Sequence, residues 1–291
     1  MPAAWTTRSL LTWMTQDFSA LGLGTPRLDA EVLIAHVLGV DRVRLYMDLD
    51  RPLAADELAG VRALVIRRRQ REPVAYLTGK REFYRRDFQV HPAVLIPRPD
   101  TETLIERALS LLPEDRPLRV LDLCTGSGAI AVTLAAERPN AHVLATDVSA
   151  AALEVAAANA RKHGVGERVE LRQGDLFAAL AAGAHFDLIA ANPPYVRDAE
   201  REELAGELHH EPALALYGGE EGLDVLQRLC AQVAGWLEPG GVALFEVGAG
   251  QAVAVLQLLA ADTRLAQLST QRDLGGIERV VEAHLPAEAA C

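Results

Sequence analysis

RVLDLCTGSGAIAVTLA, residues 119–135, runs from an apolar stretch through Thr125, Gly126, Ser127 and Gly128 into a second apolar stretch at helical spacing. It reads as a buried strand, a glycine loop and a helix. Glycines at such a loop let the backbone approach a ligand closely, and free N–H groups at the helix start favour a carboxylate or phosphate. Asp147, at the end of the next apolar run, stands where a carboxylate can accept both hydroxyls of a ribose. The segment therefore predicts a nucleoside-containing ligand lying across strand ends.

Outward from the loop, strand and helix alternate: strands at 118–123, 142–147, 168–173, 186–191 and 241–247, and helices at 128–138, 149–162, 221–236 and 251–260. Short apolar strands separated by amphipathic helices specify a parallel sheet covered on both faces. The tail RLAQLSTQRDLGGIERVVEAHL breaks the alternation and reads as two strands joined through Gly275 and Gly276, an antiparallel finish to the sheet. Upstream, residues 1–80 carry almost wholly helical spacing, in SLLTWMTQDFSALGL, PRLDAEVLIAHVLGV, LYMDLDRPL and AADELAGVRALVIRRRQREP. EFYRRDFQVHPAVLIP then changes to alternation, a β-hairpin. The expected organisation is a helical domain (1–80), a hairpin linker (81–98) and an α/β Rossmann-like domain (99–291).

The bulk numbers narrow the class. A formal charge of −11 over 291 residues argues against a general nucleic-acid binder. One stretch departs from that average: Val61–Arg86 holds nine basic residues, among them Arg67, Arg68 and Arg69, against Glu72 and Glu82. It reads as a solvated helix face with a hairpin edge, and a docking surface for an acidic partner is the alternative. Cys124, Cys230 and Cys291 are too few and scattered for a disulfide framework, which fits a reducing, cytoplasmic setting. The longest uncharged stretch, Val247–Ala261, is too short to span a bilayer. LHHEP suggests a metal through His209, His210 and Glu211, but adjacent residues point different ways and a solvated loop is the better reading.

Which nucleoside the loop takes is decided by its neighbours. Gly126, Gly128 and Ala131 satisfy a loose dinucleotide fingerprint, so a nicotinamide enzyme is a live alternative from this segment alone. Asp122, inside the strand end, favours a ligand with a cationic amino group instead, and S-adenosylmethionine has one beside its carboxylate. Asp175 in QGDLF is expected at the adenine edge, with Leu176 and Phe177 as apolar walls.

ANPPYV, residues 191–196, follows the fourth strand and sits beside the glycine loop if the sheet reverses direction between the first and fourth strands. Pro193 and Pro194 fix φ and remove donors, leaving carbonyls as acceptors, and Asn192 adds a side-chain carbonyl. Tyr195 offers a ring to cover a planar group. Such a corner grips an NH₂ whose lone pair is delocalised. Each accepted N–H bond contributes about 1–3 kcal/mol when buried, and alignment of the reactants about 7–11 more. The corner alone does not separate an amide from the exocyclic amine of a flipped base, and adenine N6 methyl transfer stays open. So does a non-catalytic S-adenosylmethionine-binding scaffold.

LIPRPDTE, DLCTGSGAIA, NPPY, EPALALYGGEEGL and EVGAGQ occur in the order seen in release factor glutamine methyltransferases, the HemK/PrmC family, which the chain resembles over essentially its whole length. The resemblance implies a seven-stranded methyltransferase sheet behind a small helical domain that helps dock the substrate. It implies methyl transfer from S-adenosylmethionine to the glutamine amide of the Gly-Gly-Gln motif in peptide chain release factors, by a cytoplasmic monomer with no nucleic-acid or membrane partner. By the same resemblance Cys124–Gly128 wraps the methionine end, Asp147 holds the ribose, Leu176 flanks the adenine, Asn192 serves both cofactor and substrate, and Asn192–Tyr195 grips the glutamine. Cys124 stands where glycine is common, and Leu176 where some members carry an aromatic. Glu246 and Gln251 read as helix-cap or pocket supports.

Overall fold

The computed structural model describes residues 5–202 and 206–287, so Cys291 lies outside the described residues. Two compact units emerge. One comprises the chain up to Lys80 together with the described residues 206–210, and the other the remainder.

The first unit is helical: α1 (Thr7–Ala20), α2 (Pro26–Leu38), α3 (Arg42–Met47), α4 (Ala55–Arg69) and α5 (Val74–Thr78). Helix α1 opens on a reciprocal cap, with Thr6 accepting from the Ser9 amide and Ser9 Oγ accepting from the Thr6 amide. Helix α3 begins before the sequence reading had it and is shorter, because Asp41 Oδ1 accepts the Arg44 amide at 2.7 Å and starts the turn there. The single turn of α5 went unread; Pro73 precedes it and Gly79, in the left-handed region, ends it. Met14, Phe18, Leu33, Ile34, Leu45, Val61 and Val65 form the core.

The arginine run of α4 is not a free basic face. Arg68 is 1% exposed: its Nε donates to Asp29 Oδ2 at 2.8 Å, its Nη1 to the Glu72 carbonyl at 3.1 Å, and its Nη2 pairs with Glu207. Arg67 pairs with Glu72 and Arg69 with Asp17. Helical spacing of charge predicted a solvated face here, and the acids that consume these arginines include residues far away in sequence. Asp29 is itself buried, so Arg68→Ala should strand a carboxylate and destabilise the helical unit by about 3–5 kcal/mol. Urea unfolding checks this; an unchanged midpoint would mean that Arg68 carries no such load.

The second unit opens with the hairpin β1 (Lys80–Phe83) and β2 (Arg86–Gln89). Tyr84 and Arg85 form its turn at φ 47° and 61°, a conformation costly for side-chain-bearing residues. Two acceptors hold it: Glu102 takes the Tyr84 amide and Glu82 the Arg85 amide. There follow α6 (Glu102–Leu111), β3 (Leu118–Leu123), α7 (Ala129–Glu137), β4 (Ala141–Asp147), α8 (Ala150–Lys162), β5 (Val169–Gln173), β6 (Phe186–Ala191), α9 (Asp224–Cys230), β7 (Leu237–Glu246), α10 (Ala252–Ala260), β8 (Ala266–Arg272) and β9 (Glu278–His284).

The strands form one seven-stranded sheet in the order β5-β4-β3-β6-β7-β9-β8. The first five run parallel, and β9 pairs antiparallel with both β7 and β8. Each central strand is apolar on both sides, as a covered parallel sheet requires. Along β3, Leu118 and Val120 pack with Leu104, Ile105 and Leu134, while Leu121 and Leu123 pack with Leu226, Leu229 and Val255. The expected helix at 221–236 is broken: α9 ends at Cys230, a separate turn covers Val233–Gly235, and β7 starts at Leu237 rather than 241. The order in which successive strands are added to the sheet reverses between the parallel neighbours β3 and β6, which opens a crevice at their carboxyl ends.

Candidate active site

The crevice is floored by the glycine loop. Cys124, Gly126 and Gly128 all adopt positive φ, at 60°, 55° and 79°, so the turn is tight even where a side chain makes it costly. Gly128 has a second reason: a Cβ there would lie 3.1 Å from Ala156 Cβ, so its absence lets α7 and α8 close together. Asn159, fully buried, braces the loop by donating to the Ser127 carbonyl at 2.8 Å and the Gln89 carbonyl at 3.0 Å. No feature of the sequence singled it out.

Asp122 sits beneath the loop and not on the crevice wall. Its Oδ2 accepts from Thr125 Oγ1 at 2.6 Å and from the Ala131 amide at 3.1 Å, tying the loop to the start of α7, while Oδ1 is buried without a partner. The direct reach to a ligand amino group expected from sequence is thus replaced by a loop-holding position. Burial pushes the carboxyl up to about 7, against the pull of those two donors. A folded-state value above the ordinary carboxylate range means that stability is whole at acid pH and is lost as pH rises through about 7. Asp122→Asn should therefore gain stability relative to the parent as pH rises from about 4 to 7. Denaturant unfolding at several pH values reads the difference, and a flat difference contradicts it.

Asp147 is where it was expected. Its Oδ2 accepts the Gly126 amide and its Oδ1 the Ser149 amide, both at 2.9 Å, and each oxygen keeps lone-pair capacity for a ribose hydroxyl. Thr125, Gly126, Ser127, Cys124, Leu176 and Asn192 join it on the wall, whereas Gly128 packs behind. Asp175 lines the wall, and its Oδ2 takes a 2.5 Å bond from Arg228, a partner that the sequence did not reveal. Phe177 does not serve as a wall: it stacks on Trp236 at 5.7 Å in the core. Burial, then Asp147, Asp122 and Asp175 in turn, push the Cys124 thiol far up, so it is no nucleophile. Asp147, with lone pairs open beside a glycine loop whose backbone a ligand can approach closely, and the Asp175–Leu176 edge fit the ribose and adenine of S-adenosylmethionine.

The Asn-Pro-Pro-Tyr corner follows β6 at the switch point. Asn192 Nδ2 donates to Thr101 Oγ1 at 3.1 Å, which commits the amino end of the amide and leaves Oδ1 as an acceptor. Asn192 and Pro194 line the crevice; Pro193 is buried and, with Tyr195, stands off the wall. Behind the corner, Gln251 Nε2 donates to the Tyr195 carbonyl at 3.0 Å while its Oε1 accepts the Gly248 amide at 2.8 Å. Gly218 and Gly222 back it closely: a Cβ would fall 2.5 Å from the Pro194 carbonyl oxygen in one case and 2.2 Å from that of Tyr195 in the other. Tyr195 donates its hydroxyl to Glu246 Oε1 at 3.1 Å, and burial followed by the Glu246 charge drives its own ionisation upward. Glu211, expected in a solvated loop, is buried, accepting from the Ile96 amide and pairing with Arg98, and His210 bonds the Gln70 carbonyl.

Comparison with known proteins places the chain in a family. Residues 9–79 match the model described as the PrmC N-terminal domain, and residues 101–228 that of the methyltransferase small domain. A release factor glutamine methyltransferase of Geobacter sulfurreducens is 43% identical over 96% of this chain and 97% of its own length. Its counterpart from Xylella fastidiosa is 46% identical over 89% and 94%.

The chain belongs to the release factor glutamine methyltransferase family.

The family is one of S-adenosylmethionine-dependent enzymes, and S-adenosylmethionine is the cofactor. Among solved structures, a methyltransferase from Pyrococcus furiosus superposes with a TM-score of 0.53 at 17% identity, covering 77% of this chain and 98% of that one. That likeness concerns the fold, which is the methyltransferase sheet that the family resemblance implied. Thr101 was not read as part of the corner, and Glu246 was read only as a helix-cap or pocket support. Both lie in strings that carried the family resemblance, LIPRPDTE and EVGAGQ, but only the folded chain brings them to Asn192 and Tyr195. No helix among the described residues is long and apolar enough to cross a membrane.

Proposed function

We propose that this chain transfers a methyl group from S-adenosylmethionine to the side-chain amide nitrogen of the glutamine in the Gly-Gly-Gln motif of peptide chain release factors, and so acts in translation termination in the cytoplasm. The observation that carries the reading is Asn192: with Nδ2 committed to Thr101, its Oδ1 is a fixed acceptor on the crevice wall. Family membership supports the glutamine as its partner.

In this reading the loop from Cys124 to Gly128 encloses the methionine end, with Asp122 holding that loop in shape. Asp147 takes the ribose hydroxyls, and Asp175 and Leu176 bound the adenine. The cofactor supplies an electrophilic methyl group on a sulfonium. Asn192 Oδ1 and the Pro193 carbonyl accept the two amide N–H bonds, which raises electron density on a nitrogen that is otherwise a poor nucleophile and fixes its direction. Pro194 keeps the corner rigid, and Tyr195, anchored to Glu246 behind the wall, holds its far end. No strong base is needed at the start, because the proton passes to water only after nitrogen has taken the methyl group and become cationic, S-adenosylhomocysteine being the leaving product. The helical unit docks the factor, and the exposed apolar side chains of Val43 and Met47, at 72% and 71%, support that role better than its paired arginines do.

Labelled methyl transfer to a panel of release factor, DNA and RNA tests the reading, with mass spectrometry locating the product. Methyl on the glutamine of Gly-Gly-Gln is expected. Label on adenine instead would replace the proposed substrate.

A further inference from the structure

Glu246 ends β7, one strand over from the corner that ends β6, and is fully buried. A carboxyl there is costly, since burial without a contacting counter-charge penalises its ionised form. The nearest cation, Arg279 on β9, is already engaged by Asp273 at 2.9 Å and Asp100 at 3.2 Å. Glu246 Oε1 accepts the Tyr195 hydroxyl at 3.1 Å. Its Oε2 has no hydrogen-bond partner among the described residues, although the Thr101 hydroxyl lies near enough to favour the charged carboxylate. That same hydroxyl receives Asn192 Nδ2. Glu246 is absent from the crevice wall and lies buried behind Tyr195.

We propose that Glu246 is the positioning residue of the methyl-transfer corner: one buried carboxyl orients Tyr195 directly and Asn192 through Thr101. This rests on the functional reading above and adds to it the group that sets both ends of the corner at once. Replacing Glu246 by leucine would be benign for packing polarity but would leave the tyrosine hydroxyl without its acceptor and Thr101 without its neighbour. The first and last residues of the corner would then drift together. The groups facing Glu246 are Tyr195 after β6, Asp100 and Thr101 before α6, and Arg279 on β9; burial outweighs Tyr195, Thr101 and Arg279 and, with Asp100, pushes the carboxyl up to about 7. Ionisation above that pH makes Glu246 a stronger acceptor for the Tyr195 hydroxyl, so turnover rises with pH through about 7.

The test compares Glu246→Leu, Glu246→Gln, Tyr195→Phe and Thr101→Val with the parent, reading kcat on an intact release factor, S-adenosylmethionine affinity by calorimetry, and the side-chain amide NMR signal of Asn192 in the ligand-free protein. Glu246→Leu should lower kcat roughly 30- to 100-fold, the scale of a small misplacement of reacting groups, with cofactor affinity within about threefold. Glu246→Gln, which keeps an acceptor, should recover most of kcat at pH 6 and lose the rise near pH 7. Tyr195→Phe and Thr101→Val should each cost about three- to tenfold and add little to Glu246→Leu, because each removes a link already cut. The Asn192 amide signal should move in Glu246→Leu and Thr101→Val. Full kcat in both Tyr195→Phe and Thr101→Val overturns the inference even if Glu246→Leu fails to fold, and so does an unmoved Asn192 signal in Thr101→Val. A parent protein that transfers nothing to a release factor would count against the functional reading alone, since the amide signal reports the link without turnover.

Discussion

Asn192→Ala is expected to abolish methyl transfer to an intact release factor, by at least about 10²–10³ in kcat, while the protein stays folded. On the proposed reading the substitution removes one of two acceptors for the substrate nitrogen and, with it, the bond to Thr101 that fixes the side-chain amide's orientation. Little stability is at stake, because Asn192 is only partly buried and the corner keeps its two prolines, the Gln251 brace and the close backing of Gly218 and Gly222. Cofactor affinity should weaken only several-fold, since Asn192 is one wall residue among many. Turnover and calorimetry on the same sample separate the two effects. Turnover equal to that of the parent would eliminate the corner mechanism.

In the proposed ribose role, Asp147→Ala should weaken S-adenosylmethionine binding by about 10²–10⁴, the loss of two charge-assisted hydrogen bonds at about 1.5–3 kcal/mol each. The effect has a second source within the protein. Asp147 joins the Gly126 amide to the Ser149 amide, so its removal leaves two donors at the loop and at the start of α8 without their acceptor. The loop whose positive-φ residues were positioned by that bridge then loses its shape. Asp147→Asn keeps one acceptor and should fall between parent and alanine. Titration calorimetry gives the three dissociation constants, and an alanine variant within threefold of the parent would remove Asp147 from the ribose site.

The sheet, its switch point and the glycine loop were legible because they are written in local pattern: apolar runs of strand length, helical spacing between them, and glycines where φ turns positive. Asp147 was readable for the same reason, as the end of the next strand. What escaped reading depends on contacts across the chain. Thr101 meets Asn192 across 91 residues, and Asn159 meets Gln89 across 70, with nothing local to mark either. Of the arginines of α4, Arg68 was misjudged as solvated, because helical spacing reports a face but not what covers it, and Glu207, which covers Arg68, lies 139 residues on; Arg67 and Arg69 are exposed as read, though paired. Asp122 was placed in the right strand and given the wrong partner: an acid at a strand end can hold a ligand or the loop beside it, and only the folded distances separate the two.

The helical unit is not a contiguous piece of gene. Its buried arginine is sealed by Glu207, which the ribosome delivers only after the glycine loop and the substrate corner have been made. During synthesis, then, the unit encoded first is finished late, and a nascent chain stopped near residue 200 carries an Arg68 that has Asp29 and the Glu72 carbonyl but not Glu207. The same layout governs dissection. A fragment cut at Lys80 would carry an open seam, whereas one in which a short linker restores residues 206–210 after Lys80 would close it, and the two should differ in how cooperatively they unfold.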